Sequence, residues 1–439
     1  MPSDELTRDT IAAVATPSGR GGIGVVRVSG PLVPSISKTV LGSAPEPRIA
    51  TRAQFHDARG EVLDEGIALY FPAPHSYTGE AVLELQGHGG PVVMQALLAA
   101  CLDAGARLAE PGEFTRRAFL EGKLDLAQAE AVADLIDAAS REAARSALRS
   151  LSGEFSAAVR ALQAGLVELR ALTEAMLDFP EEELDALHRE EAARRLGAVR
   201  EALDEVLGKS RQGSLLRSGV HVVLAGRPNV GKSSLLNRLA GEERAIVTPV
   251  AGTTRDALRE PLQIEGVPLV LVDTAGLRAS ADVIERMGIE RTRQELERAD
   301  VVIAVHEAGR APEPLDNVPE DATVLEIYNK MDLAPGFTPP AQAIGVSAKT
   351  GLGLEALKKA ILSKAGWSST GEPVFLARER HLRALQQARQ HLEAARNEPR
   401  WELFAEELRL AHRSLGELTG EFSADDLLGE IFSRFCIGK

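Results

Sequence analysis

The sequence predicts a multidomain chain that combines an α+β N-terminal domain, an all-α helical domain and an α/β P-loop domain inserted into the helical one. The 439 residues exceed what one hydrophobic core usually serves, because a domain takes about 150 residues. Helical periodicity lies on both sides of a central region in which short β-branched runs alternate with helical segments. Because loops between helices tolerate insertions, we interpret that central region as an inserted domain.

The first two domains follow from periodicity and turn residues. The N-terminal domain is predicted at 1–120, where strand-like stretches at 22–29 and 81–86 alternate with Gly/Pro-rich turns. The helical domain is predicted at 121–213 and 371–439. Apolar residues recur in steps of three and four from Leu148 to Met176, which predicts one long helix that Pro180 ends.

The inserted domain is predicted at 214–370. Its β-branched runs at 220–224, 267–272, 301–305 and 324–328 alternate with helical segments, which is the pattern of a parallel sheet wrapped by helices.

Composition limits the function classes. The net charge is −14, so the bulk field repels phosphate, and an RNA substrate would need a local basic patch or a partner protein. Two cysteines, Cys101 and Cys436, exclude a disulfide scaffold and favour a reducing cytoplasm, and Cys101 is expected to fill the core. The sequence shows no signal peptide and no apolar run long enough to span a membrane, so we expect a cytoplasmic protein without a membrane partner.

A phosphate-binding loop is predicted at 226–233, GRPNVGKS, between a predicted strand and a helix. Glycines let backbone N–H groups surround phosphate oxygens, Lys232 can reach the β- and γ-phosphates, and the Ser233 hydroxyl can bind Mg²⁺. The predicted nucleotide contacts in this loop are Gly226, Asn229, Val230, Gly231, Lys232, Ser233 and Ser234.

Two further loops are predicted to complete the phosphate site. The strand at 267–272 ends in the DTAG sequence of Asp273, Thr274, Ala275 and Gly276, which places a carboxylate near the metal and a glycine near the γ-phosphate. Thr253 and Thr254 lie in the loop between, and Thr254 is the predicted second Mg²⁺ ligand. Leu277 occupies the position of the water-orienting glutamine of Ras-type enzymes, so another group must orient the water.

The base is predicted to be guanine, which makes GTP the expected nucleotide. Asn329, Lys330 and Asp332 follow a predicted strand, and the Asp332 carboxylate can accept both N–H groups of the guanine edge, a donor pair that adenine lacks. A further loop for the guanine carbonyl is formed by Ser347, Ala348 and Lys349.

Motifs outside this domain reveal a resemblance. They are GRGGIG at 19–24, ELQGHGG at 84–90, PGEFTRRAF at 111–119, KLDLAQAEA at 123–131 and a chain that ends FCIGK at 435–439. With them, the sequence resembles the MnmE (TrmE) family of tRNA modification GTPases over essentially its whole length.

The resemblance implies a function and partners. Members are homodimers joined through an N-terminal domain that resembles folate-binding modules and holds 5,10-methylenetetrahydrofolate, for which 5-formyltetrahydrofolate is an analogue. With the partner MnmG (GidA), which alone carries FAD, they form a heterotetramer or larger complex. That complex installs an aminomethyl or carboxymethylaminomethyl group at carbon 5 of the tRNA wobble uridine.

The resemblance also implies site residues. Arg27, Glu84, Lys123 and the C-terminal Lys439 match the family's folate contacts. The physics is compatible, because Arg and Lys can pair with the glutamate tail of folate and a carboxylate can accept from the pterin. Cys436 matches a tail cysteine whose thiolate could add to uridine C6 or to a folate-derived methylene, although the bare sequence favours an inert thiol.

In the GTPase domain the resemblance implies a K⁺ ion where Ras-type enzymes use an arginine finger. Asn229 matches the potassium-binding asparagine, with main-chain oxygens of the segment that holds Thr248, Val250 and Thr253. Glu285 matches the carboxylate that orients water, and we count it as catalytic with Lys232 and Cys436.

Two other functions fit a GTPase domain. A GTP switch in ribosome assembly would append a basic RNA-binding module, and none follows Leu362. A membrane-remodelling scaffold would need a basic amphipathic face or an aromatic loop, and only 4% of residues are aromatic.

Overall fold

The computed structural model describes residues 9–178, 185–242, 262–273, 293–312, 318–319, 322–368, 374–421, 425–433, 435 and 437–438. The chain divides into two compact units. The first comprises Met1–Ala133 with Leu415–Lys439, and the second is Asp134–Ser414.

The first unit contains a six-stranded sheet in the order β3-β4-β5-β2-β1-β6. The strands are β1 Ile11–Val14, β2 Gly24–Ser29, β3 Thr51–His56, β4 Val62–Phe71, β5 Val82–Gly87 and β6 Arg107–Leu108. All neighbours are antiparallel except β1 and β6, which are parallel. The two strands predicted from the sequence correspond to β2 and β5 and are confirmed.

Alternation along β2 and β5 separates a core face from a polar face. Val26 and Val28 of β2 and Leu83 and Leu85 of β5 are fully buried in one core, together with helices α1, Val33–Leu41, and α2, Pro91–Asp103. Cys101 of α2 is buried in this core, as predicted, and burial raises the pKa of its thiol to about 12. The residues between the core positions point to the opposite face.

Short helices cover the rest of this unit: α3, Glu113–Leu120, α4, Leu126–Ile136, and α12 near the C-terminus, Asp425–Ser433. Apolar side chains of α12 pack on those of α4, around Leu126 and Phe432. Beyond α12, Ile437 forms an antiparallel bridge with Pro111, which fixes the end of the chain beside the start of α3.

The helical part of the second unit corrects one prediction. The expected long helix is divided into α5, Arg141–Leu151, and α6, Glu154–Asp178. Gly153 lies between them with a φ of 91°, which a continuing helix of L-residues does not adopt. The prediction of a single apolar stripe that starts at Leu148 was therefore wrong. Leu148 belongs to α5 and is 55% exposed, whereas Phe155 and Val159 of α6 are buried.

Three further long helices follow α6 in the helical part of the chain. They are α7, Asp185–Ser218, α10, Glu379–Asn397, and α11, Trp401–Thr419. None of the helices within the described ranges is long and apolar enough to cross a membrane.

The α/β part of the second unit contains a second six-stranded sheet, in the order β12-β11-β10-β7-β9-β8. The strands are β7 Val220–Ala225, β8 Leu262–Ile264, β9 Val267–Asp273, β10 Val301–Glu307, β11 Val324–Asn329 and β12 Ile344–Gly345. Only β8, at the edge, pairs antiparallel. Helices α8, Lys232–Glu242, and α9, Leu354–Lys364, accompany this sheet. The four predicted strands and the fold class are confirmed.

Candidate functional site

The predicted phosphate loop connects the carboxyl end of β7 to the first turn of α8. Gly226 has a φ of 148°, and a Cβ there would approach the Val305 carbonyl oxygen to 2.5 Å. Gly231 has a φ of 95°, and a Cβ there would collide with the Asn329 amide. Both positions therefore require glycine for conformation and for space. Because α8 begins at Lys232, the loop presents a helix N-terminus, which favours anions.

Lys232 is buried and lies across the loop that precedes it. Its Nζ donates to the carbonyl oxygens of Gly226, at 2.7 Å, and Arg227, at 2.9 Å. The two carbonyl oxygens thus hold the ammonium group against the predicted phosphate loop.

Asn329 joins the phosphate loop to the loop after β12. It is 2% exposed, its Nδ2 donates to the Val230 carbonyl oxygen at 2.9 Å, and its Oδ1 accepts from the Ala348 backbone N–H at 3.1 Å. One amide side chain therefore connects two of the predicted nucleotide-binding segments, and the carboxyl end of β11 provides it.

Asp332 is positioned by the same loop. The buried Ser347 hydroxyl donates to Asp332 Oδ1 at 2.6 Å, while Asp332 itself is exposed. Lys330 has a φ of 64° and its Nζ lies 3.3 Å from Glu307 Oε1. The structure thus brings together the base-reading residues that the sequence predicted, with Lys349 exposed beside them.

Several predicted residues fall outside the described residues. In the GTPase domain these are Thr248, Val250, Thr253, Thr254, Thr274, Ala275, Gly276, Leu277 and Glu285. Cys436 and Lys439 at the tail are also among them. Of Asp273 only the backbone is described: it ends β9 and pairs with Leu224 of β7.

A second cluster lies on the polar face of the N-terminal sheet. The strand register places Arg27 of β2 opposite Glu84 of β5, and their side chains form an ion pair with Arg27 Nη2 2.8 Å from Glu84 Oε1. Arg27 Nη1 also lies 3.5 Å from the carbonyl oxygen of Gly438. The two residues that the resemblance assigned to folate are therefore in contact with each other, and Arg27 also contacts the C-terminal tail.

Two aromatic rings flank the Arg27 guanidinium. Its Cζ lies 5.4 Å from the centroid of Tyr77 and 5.7 Å from that of Phe114. The Tyr77 hydroxyl is hydrogen-bonded to Thr115 at 2.8 Å, and burial raises the pKa of the phenol. Neither ring was predicted from the sequence as a contact of Arg27, although Phe114 lies within the PGEFTRRAF motif.

Lys123 lies on the other side of the loop that carries Tyr77. Its Nζ donates to the Pro74 carbonyl oxygen at 3.2 Å, and its stem is close to Gly79. The exposed ammonium group is thereby attached to the same loop that contributes the ring over Arg27.

A buried ion-pair network adjoins this cluster. Arg117 of α3 is 1% exposed and donates to Asp9 Oδ1 at 2.6 Å, Glu113 Oε1 at 2.9 Å and Glu80 Oε1 at 3.0 Å. Burial alone would raise the pKa of Glu113, but hydrogen bonds from Arg107 and Arg117 hold it below its usual range. The network fixes α3 against the sheet.

Within the described ranges, no group of three or more His, Cys, Asp or Glu residues is arranged to hold a metal ion.

Comparison with known proteins decides the family. The model described as MnmE helical domain matches residues 126–436, and the model described as GTP-binding protein TrmE N-terminus matches residues 10–123. This chain belongs to the MnmE (TrmE) family. The resemblance inferred from the sequence is confirmed, and so is the prediction of a P-loop GTPase.

Relatives match over nearly their full length. A protein of Azoarcus sp. (strain BH72) named tRNA modification GTPase MnmE is 61% identical, with 98% of each chain covered. A protein of the same name from Dechloromonas aromatica (strain RCB) is 58% identical, with 99% of this chain and 100% of the relative covered. Among solved structures, a variant of Aquifex aeolicus Era bound to GDP.AlF4- is 28% identical with a TM-score of 0.26, covering 39% of this chain and 65% of that one.

Proposed function

We propose that this chain hydrolyses GTP as part of tRNA wobble-uridine modification. The observation that carries the nucleotide half is the set of contacts through Asn329 and Ser347, which ties the phosphate loop to the Asp332 carboxylate. In this proposal Lys232 binds the β- and γ-phosphates and Asp332 accepts from the guanine edge. The loop of Ser347, Ala348 and Lys349 surrounds the guanine carbonyl.

Magnesium is proposed to bind beside the γ-phosphate. Its proposed ligands are Ser233, the second residue of α8, and Thr254, and Asp273 and Thr274 are proposed as further nucleotide contacts. A serine hydroxyl at a helix start faces the same phosphates that the helix N-terminus attracts, so metal and nucleotide would bind together.

Hydrolysis is proposed to depend on K⁺. Asn229 has a φ of 68°, a conformation that asparagine tolerates better than other side chains, and it lies exposed in the phosphate loop. The other proposed ligands are backbone oxygens of the segment that holds Thr248, Val250 and Thr253. Carbonyl oxygens are suitable ligands for a hard cation such as K⁺. A monovalent cation at this position would offset charge that develops on the phosphates. Because Leu277 cannot orient water, that role is proposed for Glu285.

The N-terminal cluster is proposed to bind a tetrahydrofolate that carries one carbon. Its residues fit the donor and acceptor groups of folate, since Arg27 and Lys123 are cationic and Glu84 is an acceptor within contact of Arg27. Lys439 directly follows Gly438, whose carbonyl oxygen lies beside Arg27.

The tail cysteine is proposed to take part in the modification chemistry. Cys436 directly precedes Ile437, which is bridged to Pro111 near the start of α3. We propose its thiol as a nucleophile of the modification reaction.

The remaining parts of the proposal concern assembly. We propose a homodimer formed through an N-terminal domain at 1–120, a helical domain at 121–213 and 371–439, and a GTPase domain at 214–370. The proposed complex contains the FAD-dependent MnmG (GidA) and tRNA, in the cytoplasm and without a membrane.

Two measurements test the proposal. GTP turnover of the purified chain should be faster in K⁺ than in Na⁺ buffer, and Asn229→Ala or Glu285→Ala should lose activity. Equal turnover of the wild-type chain in both buffers would count against the cation site. Mass spectrometry of tRNA nucleosides from a strain that lacks the gene should reveal unmodified wobble uridines. Normal nucleosides with a ribosome-assembly defect would instead favour the ribosomal GTP switch.

A further inference from the structure

A basic cleft lies within the second unit, between α7, the end of α10 and the start of α11. It encloses about 530 Å³, enough for a nucleotide. Four arginines line it: Arg189 and Arg200 from α7, Arg396 from α10, and Arg400 just before α11. Glu398 is the acidic residue among the lining side chains.

One arginine is combined with an aromatic ring and a fixed backbone contact. The Arg189 guanidinium lies 4.8 Å from the centroid of the Trp401 ring, and its Nη1 donates to the Pro399 carbonyl oxygen at 2.6 Å. A guanidinium held on an indole face loses little further side-chain entropy when it binds an anion.

Some of the lining arginines share an acidic partner. Arg200 and Arg396 both pair with Glu393, with Arg396 Nη1 3.5 Å from Glu393 Oε1. Arg400 Nε lies 3.0 Å from Glu398 Oε1, and the charge of Glu402 also acts on Arg400. A carboxylate divided between two guanidinium groups neutralises only part of their charge, so the lining keeps a cationic character. This contrasts with the net charge of −14 for the whole chain.

We propose that this cleft binds a backbone segment of tRNA, with phosphates on the arginines. Planar guanidinium forks match phosphate oxygens bidentately. An acidic protein repels RNA at long range, so a contact of this kind must be local and short-range. This inference rests on the proposed action on tRNA and assigns the surface that contacts it.

The test uses two rim arginines that are exposed enough to replace without disturbing the core. Arg396 and Arg400 are 60% and 69% exposed, so Arg396→Gln with Arg400→Gln should leave folding and GTP hydrolysis unchanged. The matched control is Arg194→Gln with Arg409→Gln. Each of those exposed arginines pairs with a glutamate three positions away on a helix, as Arg396 does, and neither lines the cleft.

Binding of fluorescently labelled tRNA to the full-length chain is measured by anisotropy from about 50 to 200 mM salt. Log affinity falls with log salt, and each lost phosphate contact makes that slope shallower by about 0.7 to 0.9. The slope of the cleft variant should therefore be shallower than that of wild type by about 1.4 to 1.8, and the slope of the control should be unchanged. Trp401→Ala removes the ring that holds the Arg189 guanidinium but no charge, so it should weaken binding with a smaller change in slope.

Three results would overturn the assignment. The first is a cleft variant whose tRNA affinity and salt slope equal those of the control. The second is a wild-type chain that does not bind tRNA. The third is a cleft variant that no longer binds the FAD-dependent partner but binds tRNA as the wild type does. Wobble nucleosides from the deletion strain separate this failure from that of the proposed function. If they are unmodified while the cleft variant binds tRNA normally, only the cleft assignment fails.

Discussion

Replacing one atom of the Asp332 side chain should change the base that the chain prefers. A carboxylate presents two acceptors to the two N–H donors of guanine, whereas the amide in Asp332→Asn presents one acceptor and one donor. Losing a hydrogen bond to a charged group costs about 1.5 to 3 kcal/mol, which corresponds to a loss of GTP affinity of about 10- to 150-fold. Xanthine has a carbonyl where guanine has its amine, so it matches the amide, and the variant should bind XTP more tightly than the wild type does.

The structure sharpens this expectation through Ser347. Its hydroxyl donates to Asp332 Oδ1 at 2.6 Å, so an asparagine that keeps this contact has its carbonyl oxygen at the Oδ1 position and its NH₂ at the Oδ2 position. The carbonyl oxygen can accept from Ser347 and from the base together, and the NH₂ can donate to the xanthine carbonyl. Calorimetric titration of GTP and XTP into wild type, Asp332→Asn and Asp332→Ala measures the effect. The alanine variant should lose affinity for GTP without gaining affinity for XTP. Glu355→Gln, at an exposed position of α9, serves as the control. An asparagine variant that still discriminates against XTP as the wild type does would refute the base-reading geometry.

Further predictions concern the contacts that hold each cluster together. Asn329→Ala leaves a backbone carbonyl and a backbone N–H of two loops without their partner, so the thermal midpoint should fall by an amount equivalent to about 2 kcal/mol and GTP affinity should fall with it. Arg117→Ala should cost about 3 to 5 kcal/mol in urea unfolding at neutral pH, because it leaves buried carboxylates uncompensated. The difference in free energy of unfolding between Arg117→Ala and wild type should become smaller in acid. The pKa of Glu113 is lowered in the folded state, so its ionised carboxylate stabilises the fold fully above the ordinary glutamate pKa. That stabilisation declines as the pH falls through the folded-state pKa. Arg27→Ala should weaken 5-formyltetrahydrofolate binding and leave GTP affinity alone; calorimetry that finds folate binding unchanged would contradict the assignment.

The nucleotide-binding elements were predictable because their chemistry is local in sequence. A glycine with positive φ, a lysine and a hydroxyl within eight positions specify a loop between a strand and a helix, and the structure has β7, the loop and α8 in that order. The break between α5 and α6 was not predictable from periodicity, because Leu148 continues the spacing of the stripe although its side chain is exposed. Gly153 was visible in the sequence, but a glycine alone does not reveal whether its φ is positive.

The basic cleft could not be predicted for a different reason. Its arginines lie in two stretches, near residues 189–200 and 396–400, and each stretch is interrupted by acidic residues that make it look like an ordinary solvated helix surface. Only the folded arrangement of α7, α10 and α11 brings them around one cavity. Composition alone revealed the electrostatic difficulty of an acidic chain with an RNA substrate, but it could not locate the surface that overcomes it.

The pairing of Arg27 with Glu84 adds a constraint that the two residues taken separately do not have. In the structure each already has a charged partner, so the proposed folate would either replace that partner or bind the pair as a unit. Replacement would leave a carboxylate or a guanidinium only about one-sixth exposed without its counter-charge, which costs more than a ligand hydrogen bond returns. Binding the pair as a unit avoids this cost, because Glu84 Oε2 and the outer edge of the guanidinium can still accept and donate. The rings of Tyr77 and Phe114 favour that second mode, since they hold the guanidinium in place on the sheet while its edge contacts the chain terminus.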